Sequence, residues 1–375
     1  MIYVAAGTYD EQPMPLKPGV SLQGAGIDQT IIKNGTFVWW YGAIQLYSSS
    51  LTNGNQTLSG FTLDGKSYSA FTGIQVQNRN NVKIFNVKVQ QFYHAGIELW
   101  SDTGNQTENI EIYNFTISES ARESTGGSYG NITSRGSVRN LQIHDGTIYH
   151  QSNISIGSYG EKTSGYAMKF LASYNGSAFS TSDYVSKSKI YNIKEYGKAF
   201  APWGQNVPNI SFEFWAIGAE EVEITNCDFT THLSLEYDPA VLKGAYSFWV
   251  HDNRFKVGMG QSIELTTSNT IIENNIFDYR ENTNAWNVMG EYNQKSKGAT
   301  NIHVRRNYFL LGDRSPILWA LGNPSTNLYF YNNTINGSGN PALFQIRSTS
   351  NGVASKNLQV FNNAFDVSTG GQITA

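Results

Sequence analysis

Val82-Lys-Ile-Phe-Asn86-Val-Lys-Val89 is followed along the chain by Ile110-Glu-Ile-Tyr-Asn114-Phe-Thr-Ile117 and then by Leu141-Gln-Ile-His-Asp145-Gly-Thr-Ile148. The same unit returns at Val222–Phe229, Phe248–Phe255, Leu328–Ile335 and Leu358–Phe365, with less regular copies starting at Ser188, Thr270 and Ile302. Apolar and polar residues alternate on both sides of a central Asn or Asp, the pattern of two short half-buried strands meeting at a tight bend. Asn suits that bend because it tolerates left-handed backbone angles and its amide bonds nearby backbone. A third alternating segment, as in Gly73-Ile-Gln-Val-Gln77 and Gly96-Ile-Glu-Leu-Trp100, lies between copies. A β-sandwich also alternates but has no reason to repeat Asn at one place in every unit, whereas coils stacked ~4.8 Å apart bring equivalent amides into a ladder. The repeat therefore predicts an all-β parallel β-helix, a solenoid with three strands per coil and roughly ten to twelve coils. It makes 1–375 a single domain, with loop insertions near 149–187 and 278–300 that wall one face.

Composition agrees with a folded chain. Charged residues are 15% and aromatic residues 13% of the 375, and the net charge is −3, which lacks the basic excess that nucleic-acid binding needs. No apolar run is long enough to predict membrane insertion. The single Cys227 excludes an intrachain disulfide framework and a cysteine-built zinc site. Met1-Ile2-Tyr3-Val4 reads as a strand rather than as the start of a signal peptide, so any targeting peptide is expected to be absent from this chain.

The opening Val4-Ala-Ala-Gly-Thr-Tyr9, the following Leu16-Lys-Pro-Gly-Val-Ser-Leu-Gln-Gly-Ala-Gly26 and the Asn86-type bend resemble the first coils and the Asn ladder of the pectate-lyase-like, right-handed parallel β-helix superfamily of polysaccharide lyases and glycoside hydrolases. The resemblance extends over nearly the whole chain. It implies a polysaccharide or oligosaccharide partner and a secreted, cell-surface or periplasmic location. It carries no catalytic signature of the pectin-cleaving members, and their Ca²⁺-binding Asp clusters have no matching residues here, so the reaction has to be read from the site itself.

In that superfamily the segment before each bend unit forms the substrate cleft. With apolar positions inward, its outward column is expected to run Gln75, Glu98, a residue near Asn131 or Thr133, Lys169, Glu213, Glu236, Glu264, Trp319 and Gln345. Glutamates stacked ~5 Å apart repel, so that one keeps its proton near neutrality, and a protonated beside an ionised carboxyl serves glycoside hydrolysis. Glu213 with Glu236 has the ~5–5.5 Å spacing of a retaining pair; Glu213 with Glu264, or Glu236 with Asp238, is nearer the ~6.5–9.5 Å of an inverting one. In a plainer reading Lys169 simply neutralises Glu213. His232 shares the outward face, Trp100 and Trp215 stand beside Glu98 and Glu213 as platforms for sugar rings, and Glu98 joins them as a substrate-binding group. His144 and His251 are assigned no chemistry.

The expected function is thus a glycoside hydrolase that depolymerises a polysaccharide with Glu213, Glu236, Asp238 and Glu264 and needs no cofactor. The alternatives are a β-eliminating lyase using Lys169 with a Ca²⁺ held by glutamates, and a non-catalytic carbohydrate-binding solenoid.

Overall fold

The computed structural model describes residues 1–121, 130–150, 166–173, 180–196, 210–215, 217–230, 232–235, 244–256, 261–281, 287–290, 299–314, 316–321, 325–339, 341–346 and 355–367. Among these there is no α-helix, hence no helix able to cross a membrane, and every strand pairing is parallel. A parallel sheet without helical crossovers can close its connections only by winding around itself, and this is a parallel β-helix.

The repeat units meet residue for residue. Ile84, Ile112, Ile143, Ile190, Ile224, Val250, Ile272, Val304, Phe330 and Val360 pair in one continuous column. The irregular copies at Ser188, Thr270 and Ile302 fall into the same register as the others. Up to Phe330 these side chains fill the lumen, and Ile84, Ile112, Ile143, Val250, Ile272 and Val304 have no exposed surface; Val360, in the last described coil, is exposed. Beyond the bend, Phe229, Phe255, Phe277 and Phe309 stack with ring centroids 4.7, 5.0 and 4.9 Å apart, the interval between successive coils.

The bends are left-handed as the Asn pattern demands, with φ between 49° and 56° at Asn86, Asn114, Asp145, Asn192, Asn226, Asp252, Asn274, Arg306, Asn332 and Asn362. The buried amide ladder, however, runs one residue later. Asn253, Asn275, Asn307 and Asn333 each donate a side-chain N–H to the next Asn Oδ1 at 3.1 Å and another to a backbone carbonyl at 2.9–3.0 Å. The bend residue points its side chain outward; only its successor turns in to meet the carbonyls freed by the bend. In the earlier coils that inward place holds Val87, Phe115, Gly146 and Ile193, and the strand runs unbroken through the bend. A second outward ladder precedes the early units, where Asn109 bonds Asn81 at 2.9 Å and Asn140 bonds Asn109 at 2.7 Å, again at positive φ, and it resumes after an interruption at Lys187, Glu221 and Ser247 with Asn301 bonding Asn269 at 3.0 Å.

Candidate functional site

The cleft strands stack as Ala95–Trp100, Gly130–Arg135, Tyr166–Leu171, Ile210–Trp215, His232–Leu235, Ile263–Leu265, Asn287–Gly290, Ile317–Leu321 and Ala342–Ile346. Their pairing defines one column that points away from the lumen: Gln75, Glu98, Thr133, Lys169, Glu213, Ser234, Glu264, Gly290, Ala320 and Gln345. Met168, Phe170, Phe212 and Phe214, on either side of the column, belong to the core.

Lys169, Glu213 and Glu264 share this column as expected, but the carboxylates do not stack. Leu233 pairs with Phe212 across an irregularity that follows Ile210, so Ser234 takes the place expected of Glu236. Glu236 and Asp238 lie outside the described residues, as does the side chain of Trp215. The neighbours of Glu213 are therefore an ammonium and a hydroxyl. Lys169 Nζ and Glu213 Oε2 form an ion pair, the two side chains only 5% and 6% exposed, and Nζ also lies 4.3 Å from the centre of the Tyr166 ring. One coil on, Ser234 Oγ donates to Glu264 Oε2 at 3.3 Å, and His232 Nε2 stands 3.7 Å from the same oxygen, too far for a hydrogen bond. Glu213 and Glu264 are thus two coils apart, roughly 10 Å along the column.

Toward the N-terminal coils the column becomes wholly covered. Glu98 has no exposed surface, with Oε1 3.4 Å from both His94 Nε2 and Arg135 Nε. Burial pushes its carboxyl up, but His94 first and Arg135 after it outweigh that and leave it below the usual carboxylate range. Glu98, expected as a substrate-binding group, lies beside Arg135, whose guanidinium lies 5.5 Å from the centre of the half-buried Trp100 ring. Trp100 is on the outer surface as expected. Trp319 is not: Ala320 occupies the column while Trp319 pairs with Met289 and Phe344 in the lumen with no exposed surface. His94 went unnoticed in the sequence because nothing in the alternation marks a residue at the mouth of a strand.

Among the described residues no three His, Cys, Asp or Glu side chains gather as a metal site.

No protein-family model matches the chain, and no curated protein does. Solved structures do, over its full length. The alginate lyase AlyF-OU02 in complex with G6 superposes with a TM-score of 0.57 at 11% identity, this chain spanning 80% of it. The Azotobacter vinelandii mannuronan C-5 epimerase AlgE6 A-module gives 0.54 at 15% over 90% of its length, and PfbA, a surface adhesin of Streptococcus pneumoniae, gives 0.55 at 14% over 85%. The likeness is one of fold: the architecture is a parallel β-helix.

Proposed function

We propose that the protein is a carbohydrate-active enzyme, a glycoside hydrolase that cuts a polysaccharide lying along the Lys169–Glu264 column. The observation that carries the reading is that Lys169, Glu213, Ser234 and Glu264 occupy successive coils on the outer face and are nonetheless buried. Charges withdrawn from water cost several kcal/mol each, and an outward column offers solvent freely, so their burial calls for a purpose. The two carboxyls also face unlike partners, an ammonium for Glu213 and a hydroxyl for Glu264. Their roughly 10 Å separation is close to the ~6.5–9.5 Å of inverting enzymes. Glu236 and Asp238, which follow directly in the chain, are the remaining candidates for the pair. The names of the lyase and epimerase that share the fold support a polysaccharide substrate, and those of the adhesin and its kind a secreted or surface location.

A panel of polysaccharides assayed for new reducing ends tests this. Glu264→Gln and Glu213→Gln should each lower turnover by ~10²-fold or more without unfolding the protein; full activity in both variants would end the assignment. Lys169 supports a second reading, β-elimination from a uronate, in which the ammonium rather than the carboxyls does the work. It predicts an unsaturated, ultraviolet-absorbing product that hydrolysis never yields. Binding without any product would leave a carbohydrate-binding solenoid.

A further inference from the structure

On the outer face of the N-terminal coils, next to the column, Phe37, Trp39, Trp40 and Tyr93 crowd around the buried Phe71, and Trp100 meets Trp40 edge to face with ring centroids 6.4 Å apart. Trp39 is 55% and Trp40 46% exposed, large values for residues that are mostly buried in folded chains. Trp40 also has φ 67°, a left-handed conformation costly for a bulky side chain. The strain is held rather than relaxed: the Gln75 side-chain amide donates to the Trp40 carbonyl at 2.9 Å, and Gln75 belongs to the same column as Lys169 and Glu213. The Arg135 guanidinium lies 5.7 Å from the Trp40 ring and 5.5 Å from the Trp100 ring, tying the two indoles together.

We infer that Trp39 and Trp40, with Trp100, form a platform that binds a remote stretch of a neutral, glucose-type polysaccharide whose other end lies in the column. Pyranoses with equatorial hydroxyls present flat C–H faces that suit indole rings, while the hydroxyls stay in water or meet a polar rim. That rim is present beside Trp100 in the half-buried Gln77 and Asp102, Gln77 Nε2 donating to Asp102 Oδ1 at 3.2 Å, while the buried Asn78 holds Asp102 from beneath by donating Nδ2 to Oδ2 at 2.6 Å. The charge argues for a neutral chain: Arg135 is offset by Glu98, and Asp102 adds a negative group where a polyuronate would have to lie. From Gln75 to Glu213 is four coils, roughly 19 Å, so a single molecule touching both must be several sugars long. The inference rests on the polysaccharide reading above but not on its catalytic assignment.

Affinity gel electrophoresis of the full chain in laminarin, dextran, xyloglucan or alginate tests it, because retardation needs no bond cleavage. The expected result is retardation by at least one neutral polysaccharide, unchanged in about 0.5 M NaCl because stacking is not screened. Trp39→Ala/Trp40→Ala should weaken it about tenfold or more, and Trp39→Phe/Trp40→Phe, which keeps the rings, should retain most of it, both with the melting temperature of the wild type. Three results would overturn the platform: no neutral polysaccharide retards the protein; alginate alone does and salt abolishes it; or the alanine variant binds as well as the wild type. Self-association of the wild type that the alanine variant loses, without glycan retardation, would make the patch a contact between copies and equally refute it. Tryptophan-dependent retardation with no cleavage of any polysaccharide would leave the platform standing and refute the hydrolase alone.

Discussion

Lys169 and Glu213 were legible as neighbours because both sit between aromatic or apolar residues of fixed phase, Met168–Phe170 and Phe212–Phe214. What the sequence did not show is that the two are buried against each other. Lys169→Met should therefore cost about 3–5 kcal/mol in urea unfolding, because it strands a carboxylate away from water, while Lys169→Met/Glu213→Met should recover most of the loss. If the single and double variants unfold alike, the pair is solvated and the burial argument for the site fails. Asp278 gives the pH counterpart. The Arg280 guanidinium, bonded to it at 2.8 and 2.9 Å, outweighs burial and, with Arg254 at 3.1 Å, lowers its carboxyl to about 2. A depressed folded-state value means stability that is present above the unfolded value near 4 and lost as pH falls toward 2. Because both arginines are half exposed and screened, the contribution is about 1–2 kcal/mol. Asp278→Asn should thus be less stable than the wild type at pH 7 and nearly equal to it near pH 2, as read by urea titration at both pH values.

At the scale of the strand, alternation shows which face a residue takes but not which coil-mate it meets. A slip of one residue turns every side chain over and is noticed; a slip of two leaves the pattern intact. Leu233-Ser-Leu-Glu-Tyr237 matches Phe212-Glu-Phe214 equally well through Ser234 or through Glu236, and the irregularity after Ile210 selects Ser234. The same period-2 ambiguity has a one-residue analogue at Trp319, where Leu318-Trp-Ala-Leu321 carries apolar residues on both faces and so fixes no phase. The bends, by contrast, were legible wherever Asn or Asp holds them, since few residues tolerate φ near 55°; the bend at Arg306 is the one of the ten that this rule does not signal. Their two successive Asn residues do different jobs, and substitutions separate them. Asn332→Gly keeps the left-handed angle and should change stability by less than about 1 kcal/mol. Asn333→Ala removes the bonds to the Val304 carbonyl and to Asn363, and leaves the Asn307 amide without its acceptor. It should cost about 2–4 kcal/mol, read in the same urea titrations. A larger loss at 332 than at 333 would contradict the assignment of the ladder to the inward residue.

Across the whole molecule, coils contact only their neighbours, so stability is a sum of stacking steps and an inner residue is protected by every coil around it. Cys227 is placed to report this. It is the single cysteine of the chain, it lies where the apolar inward column ending at Ile193 gives way to the Asn ladder, and its N–H donates to Asn253 Oδ1 at 2.9 Å. Burial pushes its thiol up to about 12, so at pH 8 only on the order of one molecule in ten thousand holds the reactive thiolate. Reaction with a disulfide reagent then requires opening. Toward the C-terminal side the coils with bends at Asp252, Asn274, Arg306, Asn332 and Asn362 are stacked beyond Cys227. Opening confined to the last coils leaves the thiol covered, so labelling should need loss of the stack on both of its sides. The labelling rate should consequently rise with urea with the slope of global unfolding. Rapid labelling with a shallow urea dependence would show instead that the solenoid parts at Cys227, and that the coils carrying Glu264 move independently of those carrying Lys169.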